Sequence, residues 1–235
     1  MGWDWCGVYM NIVPRHVYSQ EYQDGIIESI FKEIGTTNKF CVEFGFDSTT
    51  VIGGGGANTA KLLLEEGWTG LLLDGGRENT DINLHRVVLT PENIVSVFDE
   101  HGVPTEADYV SIDVDSIDLW LLRALLMSQY RPRVVSVEYN SNFDAQTSMT
   151  VRLGTTWQNQ DKVYGASLLA LCRVAQEFGY KLVAVECGLD AFFVRGDLCP
   201  NESDDIAQFA EMTAWPEHRE PTPERAALFE AYPCA

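Results

Sequence analysis

Residues 40–64, FCVEFGFDSTTVIGGGGANTAKLLL, decide the fold that we predict for this chain. An apolar run ends in Glu43 and Gly45, a polar loop with four consecutive glycines follows, and after Asn58 and Thr59 the sequence becomes helical in character. The pattern predicts a strand, a glycine-rich loop and a helix. Glycines at such a junction let backbone N–H groups approach a ligand, and the helix N-terminus adds partial positive charge. The first hypothesis is a nucleotide or nucleoside pocket; a loop that uses glycine for turns alone is the alternative.

Apolar strands alternate with helices along most of the chain. Periodicity and cap signals predict helices at residues 22–34, 60–66, 117–128 and 166–178, and one that begins at Thr90 and Pro91. Short apolar runs predict strands at residues 40–44, 68–74, 86–89, 108–113 and 132–138. This alternation indicates a parallel sheet covered on both faces. Two further strands, 181–186 and 191–195, lie too close together for a parallel crossover, so we expect an antiparallel hairpin.

The predicted fold class is therefore a three-layer, Rossmann-like α/β domain with a seven-stranded, mostly parallel sheet and a C-terminal antiparallel hairpin. We expect one domain over residues 1–200, with an N-terminal helical lead-in. Residues 201–235 are acidic and carry prolines, and we expect an extension packed on the domain with a helix at 205–212. Residues 141–163 are polar and irregular, a length at which loops often bind substrates.

Composition and charge exclude several classes of partner. Sixteen basic and 35 acidic side chains give a formal net charge of -19, which repels nucleic acid and anionic lipid surfaces. We expect neither partner, and a cytoplasmic location because the N-terminus lacks a secretion signal. The six cysteines form no C-x-x-C pair, so we expect free, mostly buried thiols. The sequence does not predict an oligomeric state.

Acids and amides follow four of the first five predicted strands: Glu43, Asp74, Asp113 with Asp115, and Glu138 with Asn140. In an open α/β sheet ligands bind outside the carboxyl ends of the strands, so we expect these groups to meet in one crevice. Asp74 lies about twenty residues beyond the glycine run, where nucleotide-binding folds place an acid on ribose hydroxyls.

Each of these residues also has a structural alternative. Asp115 as a cap of the following helix, Glu43 as an acceptor for amides of its own loop, and Asn140 as a turn residue are all compatible with the sequence. A polar cluster before the first helix is either a capped helix start or a ligand-facing group; its members are Ser19, Gln20, Glu21 and Asp24.

Asp113 and Asp115 are candidate metal ligands if their strand ends between them. Hard carboxylate oxygens suit Mg²⁺, Mn²⁺ or Ca²⁺ rather than zinc, while hydroxyl binding and helix capping are the alternatives. The glycine run matches no phosphate motif: it lacks the G-K-[ST] ending of a P-loop, and the frame G-x-G-x-x-G fails at Asn58.

Five segments in chain order carry a family resemblance. They are YSQEYQDGIIESIFKEIGTTNKFCVEFGFDS (18–48), ANTAKLLLEEGWTGLLLDG (57–75), DYVSIDVDSIDLW (108–120), RPRVVSVEYN (131–140) and GASLLALCRVAQEFGYKLVAVECGLDAFFVR (165–195). Over residues 18–200 the chain resembles the FkbM-like family of class I S-adenosylmethionine-dependent methyltransferases. The resemblance implies a seven-stranded sheet whose last two strands form a hairpin. The loop at 47–57 is longer than in the family pattern, and Asp74 stands where relatives more often carry Glu.

The resemblance also implies roles for individual residues. It places the methionine part of S-adenosylmethionine near Glu43 and Gly45, its ribose near Asp74, and Asp113 beside the methyl group or the amine. Together with the residue patterns, it gives predicted cofactor contacts from Gln20, Asp24, Glu43, Gly45, Asn58, Thr59, Asp74, Gly75 and Asp113. The predicted catalytic residues are Asp115, Glu138 and Asn140, with Asp115 or Glu138 as general base.

Three functions follow from these residues and the resemblance. The leading one is a methyltransferase that acts on a hydroxyl of a small molecule or glycan. The alternatives are an enzyme on the same scaffold that uses Asp113, Asp115 and Glu138 with Mg²⁺ or Mn²⁺, and a non-catalytic binding protein. Acceptor contacts are predicted from the loop at 141–163, with Arg152 and Trp157. The N-terminal aromatics Trp3, Trp5 and Tyr9 are further candidates, although such residues more often pack.

Overall fold

Helices and strands alternate through the protein, as the sequence predicts. The computed structural model describes residues 12–52, 57–155, 163–200, 209 and 223–233. The helices are α1 (Gln23–Ile34), α2 (Ala60–Glu65), α3 (Ile94–Glu100), α4 (Asp118–Met127), α5 (Leu168–Glu177) and α6 (Pro223–Ala226). The strands are β1 (Phe40–Phe44), β2 (Thr69–Asp74), β3 (Leu84–Arg86), β4 (Tyr109–Ile112), β5 (Val134–Glu138), β6 (Met149–Val151), β7 (Tyr180–Val185), β8 (Asp190–Arg195) and β9 (Phe229–Ala231).

Seven strands form the main sheet in the order β3-β2-β1-β4-β5-β8-β7. β1 to β5 are parallel to one another, whereas β8 pairs antiparallel with both β5 and β7. The second strand of the hairpin is thus inserted in the sheet, and the first lies at its edge. The prediction of an α/β fold with a mostly parallel sheet and a C-terminal hairpin is confirmed.

Helices cover both faces of the main sheet. Strand residues alternate between the faces, so that Cys41 packs in the cluster that includes α1 and α2, while Val42 packs in the cluster that includes α3, α4 and α5. α1 buries Ile26, Ile27 and Ile30 at helical spacing. These clusters form the two layers of core on either side of the sheet.

The start of β4 is anchored at the amino end of the sheet by a buried ion pair. Asp108 accepts hydrogen bonds from the backbone N–H groups of Thr37 (2.8 Å), Asn38 (2.9 Å) and Lys39 (2.7 Å). Arg133 donates to the same carboxylate through Nη1 at 2.7 Å. Burial acts against this charge, but the bonds from Arg133 and the loop amides outweigh it and lower the pKa of Asp108.

A small second sheet joins two segments that the sequence analysis treats as irregular. β6 lies in the predicted loop at 141–163 and pairs antiparallel with β9 near the C-terminus. Phe143 and Phe229 pack edge to face there, with ring centroids 5.0 Å apart. Strands of three residues carry too little alternation to predict. The helix expected at 205–212 lies outside the described residues except for Phe209, which is buried.

Two predicted boundaries are wrong near the third strand. The strand expected at 86–89 ends at Arg86, because Leu84 is the residue buried against the core whereas Val88 is 70% exposed. The helix expected from Thr90 begins only at Ile94. Asn93 accepts a hydrogen bond from the Thr90 N–H at 2.8 Å, which closes a turn before the helix instead of capping it at Thr90.

The remaining expectations about the chain concern thiols and membranes. The four cysteines in the described ranges, Cys41, Cys172, Cys187 and Cys199, form no disulfide, and Cys187 is the one that is not fully buried. This confirms, for that part of the chain, cysteines that are not in disulfides and are mostly buried. Among the described helices, none has the length and apolar character needed to cross a bilayer.

Candidate functional site

A cavity of about 990 Å³ opens at the carboxyl ends of β1, β2, β4 and β5. It lies at the edge of the sheet where the predicted acids were expected to meet. Its lining includes seven acids, whereas Arg77 is the one basic residue among the described lining positions. The acids are Glu43, Asp47, Asp74, Asp113, Asp115, Glu138 and Asp190. The described lining therefore favours a cationic ligand over an anionic one.

Glu43, in β1, fixes the start of α2. Its carboxylate accepts hydrogen bonds from the backbone N–H groups of Asn58 (2.9 Å) and Thr59 (3.0 Å), and from the Thr59 hydroxyl. Burial raises the pKa of Glu43 to about 7, although these bonds act in the opposite direction. The alternative in which Glu43 binds amides of its own loop is confirmed. Thr59 is fully buried beneath the cavity lining and contacts Glu43.

Asp190 is an acid of the cavity that the sequence analysis missed. Its Oδ2 atom accepts hydrogen bonds from Asn58 Nδ2 at 3.0 Å and from Gln23 Nε2 at 3.3 Å. Asp190 begins β8 and lies opposite Glu138 in the strand register. Because β8 is antiparallel, its first residue lies at the edge where the parallel strands end. Combined with the predicted hairpin, the sequence CGLDAFFVR could have placed this acid at the site.

The loop between β4 and α4 carries two further acids and is held by a third. Asp118 accepts hydrogen bonds from the Val114 N–H at 2.7 Å and the Ser116 N–H at 3.0 Å. Asp118 is the first residue of α4 and holds the preceding loop through these bonds. The alternative in which Asp115 caps α4 is wrong, because the N-cap residue is Ile117 and no side chain caps the helix. Asp115 adopts a left-handed backbone conformation with φ of 55°, which turns the chain between Asp113 and α4.

Three carboxylates come together at this loop. Asp113, Asp115 and Glu138 each offer an oxygen, and these atoms all lie within 4.8 Å of one another. β4 ends at Ile112, so the strand stops before Asp113 and not between Asp113 and Asp115, where the shared-cation hypothesis placed its end. Both aspartates therefore lie in the loop, and the side-chain alternation of a strand does not separate them. The Oε2 atom of Glu138 is shielded from solvent and has no hydrogen-bond partner among the described residues.

Proximity and burial change the acidity of these groups. Burial is the main cause that raises the pKa of Asp113 and Glu138 well above the usual range. Repulsion adds to this effect: Asp118 is the strongest neighbour of Asp113, and Asp113 is the strongest neighbour of Glu138. Burial also raises the pKa of Asp115 and of Asp190. A bound cation would offset this repulsion and favour the ionised carboxylates.

Asp74 lies at the end of β2 on another side of the cavity. Its Oδ1 atom accepts hydrogen bonds from the N–H groups of Gly76 (2.8 Å) and Arg77 (2.6 Å). The Arg77 guanidinium lies 3.7 Å from Oδ2 of Asp74 and forms an ion pair with Asp47. Asp74 is thus held rigidly beside Gly75, which also lines the cavity.

The structure brings most of the predicted site residues together and leaves three out of the cavity lining. Gln20, Glu43, Gly45, Asn58, Asp74, Gly75, Asp113, Asp115 and Glu138 line the cavity. Thr59, Asp24 and Asn140 do not. Asp24 instead accepts hydrogen bonds from the N–H groups of Val17 (2.8 Å) and Tyr18 (2.7 Å) and stabilises the turn before α1. Asn140 donates to the Tyr164 carbonyl at 2.9 Å and is fully buried.

Some predicted contacts cannot be placed at the cavity. The glycines at 53–56 and the side chains of Trp3, Trp5, Tyr9 and Trp157 lie outside the described residues. Arg152 is described, but it is 57% exposed at its side chain and lies near Glu230 of β9, with 3.4 Å between Nη1 and Oε2. Gly154 and Thr155 are the described residues of the predicted acceptor loop that line the cavity.

Comparison with known proteins gives no family assignment. No protein-family model matches the chain, and no curated protein matches its sequence.

Proposed function

We propose that this protein is an S-adenosylmethionine-dependent methyltransferase that acts on a hydroxyl of a small molecule or glycan. The observation that carries the proposal is the sheet order, with the antiparallel strand β8 inserted between β5 and β7. The family resemblance over residues 18–200 implies a seven-stranded sheet that ends in such a hairpin. The acidic cavity lies outside the carboxyl ends of the parallel strands, where open α/β sheets bind their ligands.

The charge of the cavity supports this cofactor over one that carries phosphates. S-adenosylmethionine carries a sulfonium and an ammonium group against one carboxylate, so it is a net cation and has no phosphate. Seven acids and a single arginine line the described part of the cavity, so a cationic ligand is attracted and a phosphate is repelled. The failure of the glycine run to match a P-loop agrees with this choice.

Individual residues suit the parts of this cofactor. Asp74 is fixed by two loop amides and is the acid for the ribose hydroxyls. Asp190 receives hydrogen bonds from neutral amide side chains, Asn58 and Gln23, and is an available acid for the ammonium group. Glu43 holds the loop before α2 and so shapes the pocket through Thr59.

A carboxylate near the end of β4 or β5 would receive the proton of the acceptor hydroxyl. The bound cofactor supplies an electrophilic methyl group. Glu138 is suited to take the proton, because burial raises its pKa and makes its ionised form a stronger base than an exposed carboxylate. Asp115 is the second candidate and is the more exposed of the two. Asn140 plays no part in this scheme, since its side chain bonds to backbone and to Asn142.

Calorimetry with S-adenosylmethionine and S-adenosylhomocysteine tests the proposal. We expect both to bind one site per chain in buffer with EDTA. Asp74→Asn should weaken both by about tenfold, because a hydrogen bond to a charged group is lost. The matched control is Glu78→Gln, an exposed acid that does not line the cavity, and it should leave both affinities unchanged. Absence of heat with both nucleosides would overturn the proposal.

The three clustered carboxylates of Asp113, Asp115 and Glu138 support a second candidate function. On the same scaffold, an enzyme that uses Mg²⁺ or Mn²⁺ for a reaction other than methyl transfer would need such oxygen ligands. The two candidates differ in the same calorimetry: a divalent cation that binds while neither nucleoside does would favour the second.

A further inference from the structure

We infer that Asp113, Asp115 and Glu138 form a binding site for one divalent cation of the Mg²⁺ or Mn²⁺ type. The inference holds for either candidate function, since it concerns the ligands and not the reaction. The oxygens that these residues offer lie within 4.8 Å of one another, a separation that one cation can bridge with bonds of about 2.0–2.6 Å.

An independent observation at the site points to a missing partner. The Oε2 atom of Glu138 is buried and accepts no hydrogen bond from the described residues. A buried carboxyl oxygen without a hydrogen-bond partner is disfavoured in a protein interior, and a coordinated cation is one solution. In the described part of the cavity the sole basic residue is Arg77, and its ion pairs are with Asp47 and Asp74.

The loop that presents two of the ligands is built to hold its shape. Asp118 fixes Val114 and Ser116 through two backbone hydrogen bonds, so the turn between the ligands does not depend on a cation. Gly45 packs against the Asp113 carbonyl so closely that a Cβ atom at Gly45 would overlap it. The third ligand comes from the end of β5, the neighbouring strand in the sheet. Preorganised ligands of this kind favour binding because little ordering is left to occur.

The chemistry of the ligands sets the class of cation. All three are carboxylates, and the described residues of the cavity lining include neither cysteine nor histidine. Oxygen-only sites suit hard divalent cations such as Mg²⁺, Mn²⁺ and Ca²⁺. In the proposed methyltransferase, an acceptor hydroxyl bound to such a cation would lose its proton more readily than in water. The cation would therefore assist methyl transfer, but the proposed reaction does not require it.

Mn²⁺ binding to the full chain, freed of metals with EDTA and dialysed, tests the site. Electron paramagnetic resonance should show one bound Mn²⁺ per chain, displaced by excess Mg²⁺. Asp115→Asn and Glu138→Gln should each weaken Mn²⁺ binding at least tenfold. The control is Asp47→Asn, an acid of the same cavity that pairs with Arg77, and it should change the affinity less than threefold. Circular dichroism and thermal unfolding of each variant show that it is folded.

Three results would overturn the inference: no Mn²⁺ bound, unchanged affinity in both ligand variants, or an equal loss in Asp47→Asn, which would indicate diffuse attraction by acids. Its failure is distinct from failure of the proposed function. S-adenosylmethionine binding in EDTA without any Mn²⁺ binding would overturn the cation site alone. Mn²⁺ binding without nucleoside binding would overturn the methyltransferase proposal alone.

Discussion

Gly45 shows, at the scale of one residue, how the site depends on a close approach between two loops. Its backbone φ is 71°, a conformation that side chains disfavour, and its missing side chain leaves room for the Asp113 carbonyl. The family resemblance implies a place for Gly45 near the methionine part of the cofactor. In the structure it lines the cavity and also sets how near the ligand loop lies to β1.

Replacement of Gly45 by alanine should therefore lower the free energy of unfolding by more than the left-handed backbone conformation alone would. Gly67→Ala is the matched control, because Gly67 has φ of 70° and no atom lies within 4 Å of the point that its Cβ would occupy. We expect Gly67→Ala to lower the free energy of unfolding by about 1 kcal/mol, the cost of a left-handed backbone. Gly45→Ala adds overpacking and should cost about 3 kcal/mol or more. Urea unfolding followed by circular dichroism measures both; equal losses would contradict the close packing.

β4 shows the division between stability and function at the scale of an element. Asp108 precedes the strand and Asp113 follows it, so one short strand separates two acids with opposite surroundings. Asp108 is paired with Arg133 and three loop amides, and its pKa is lowered. Asp113 is surrounded by Asp118, Asp190 and other acids, and its pKa is raised. The amino edge of the sheet stabilises the fold, while the carboxyl edge holds unbalanced charge.

Substitution of these two acids should have opposite effects. Asp108→Asn leaves Arg133 buried without its partner charge and should lower the free energy of unfolding at pH 7 by about 3 kcal/mol. Asp113→Asn removes an acid whose ionised form is disfavoured by burial and by its acidic neighbours, and should raise stability in EDTA by about 1 kcal/mol. Thermal unfolding at pH 7 with EDTA checks both. A loss of stability in Asp113→Asn would show that the acid is already balanced by a group within the protein.

Helices and strands with a clear pattern of apolar residues could be predicted from the sequence, whereas very short strands could not. β1 has its predicted bounds because the apolar run is short and lies between Lys39 and Gly45. β6 and β9 were missed because each has three residues and their pairing joins segments far apart in the chain. Acids at the ends of parallel strands were predicted to meet, and they do. Asp190 was missed because β8 runs in the opposite direction, so the relevant acid starts the strand.

Contacts that depend on tertiary packing were also beyond the sequence. From the sequence, Asp24 was compatible both with a ligand-facing role and with a capped helix start. Only the fold shows that its carboxylate binds the turn before α1. Asp118, and not Asp115, accepts the hydrogen bonds that hold the β4–α4 loop, and three acids in six residues gave no basis for choosing between them. Cation binding by Asp113, Asp115 and Glu138 stays a prediction.

The excess of acidic side chains also affects the stability of the molecule as a whole. The chain has a formal net charge of -19, and several of its acids are buried at one edge of the sheet. Surface acids repel one another through solvent and are screened by salt, whereas buried acids are screened much less. Stability measured as a function of pH and salt can therefore separate the two groups.

Buried acids should make the cation-free protein less stable as the pH rises from 5 to 8. Burial raises the pKa of Glu43 and of Glu186 to about 7, from an ordinary value of 4.5. The folded protein then holds protons that the unfolded chain has released, so their contribution is full below pH 4.5 and is lost as the pH rises through 7. For Glu43 this is on the order of 3 kcal/mol.

Urea unfolding in EDTA at pH 5.5 and pH 8 measures this loss, and three controls identify its origin. The loss should persist in 0.5 M NaCl, which screens surface charge at a Debye length of about 4 Å. Glu43→Gln should reduce the pH dependence, because glutamine does not titrate. Mn²⁺ should restore more stability at pH 8 than at pH 5.5, since carboxylate ligands must be ionised to bind it. Stability that is flat or rises from pH 5.5 to pH 8 in EDTA would show that the buried acids are already balanced by charges within the protein.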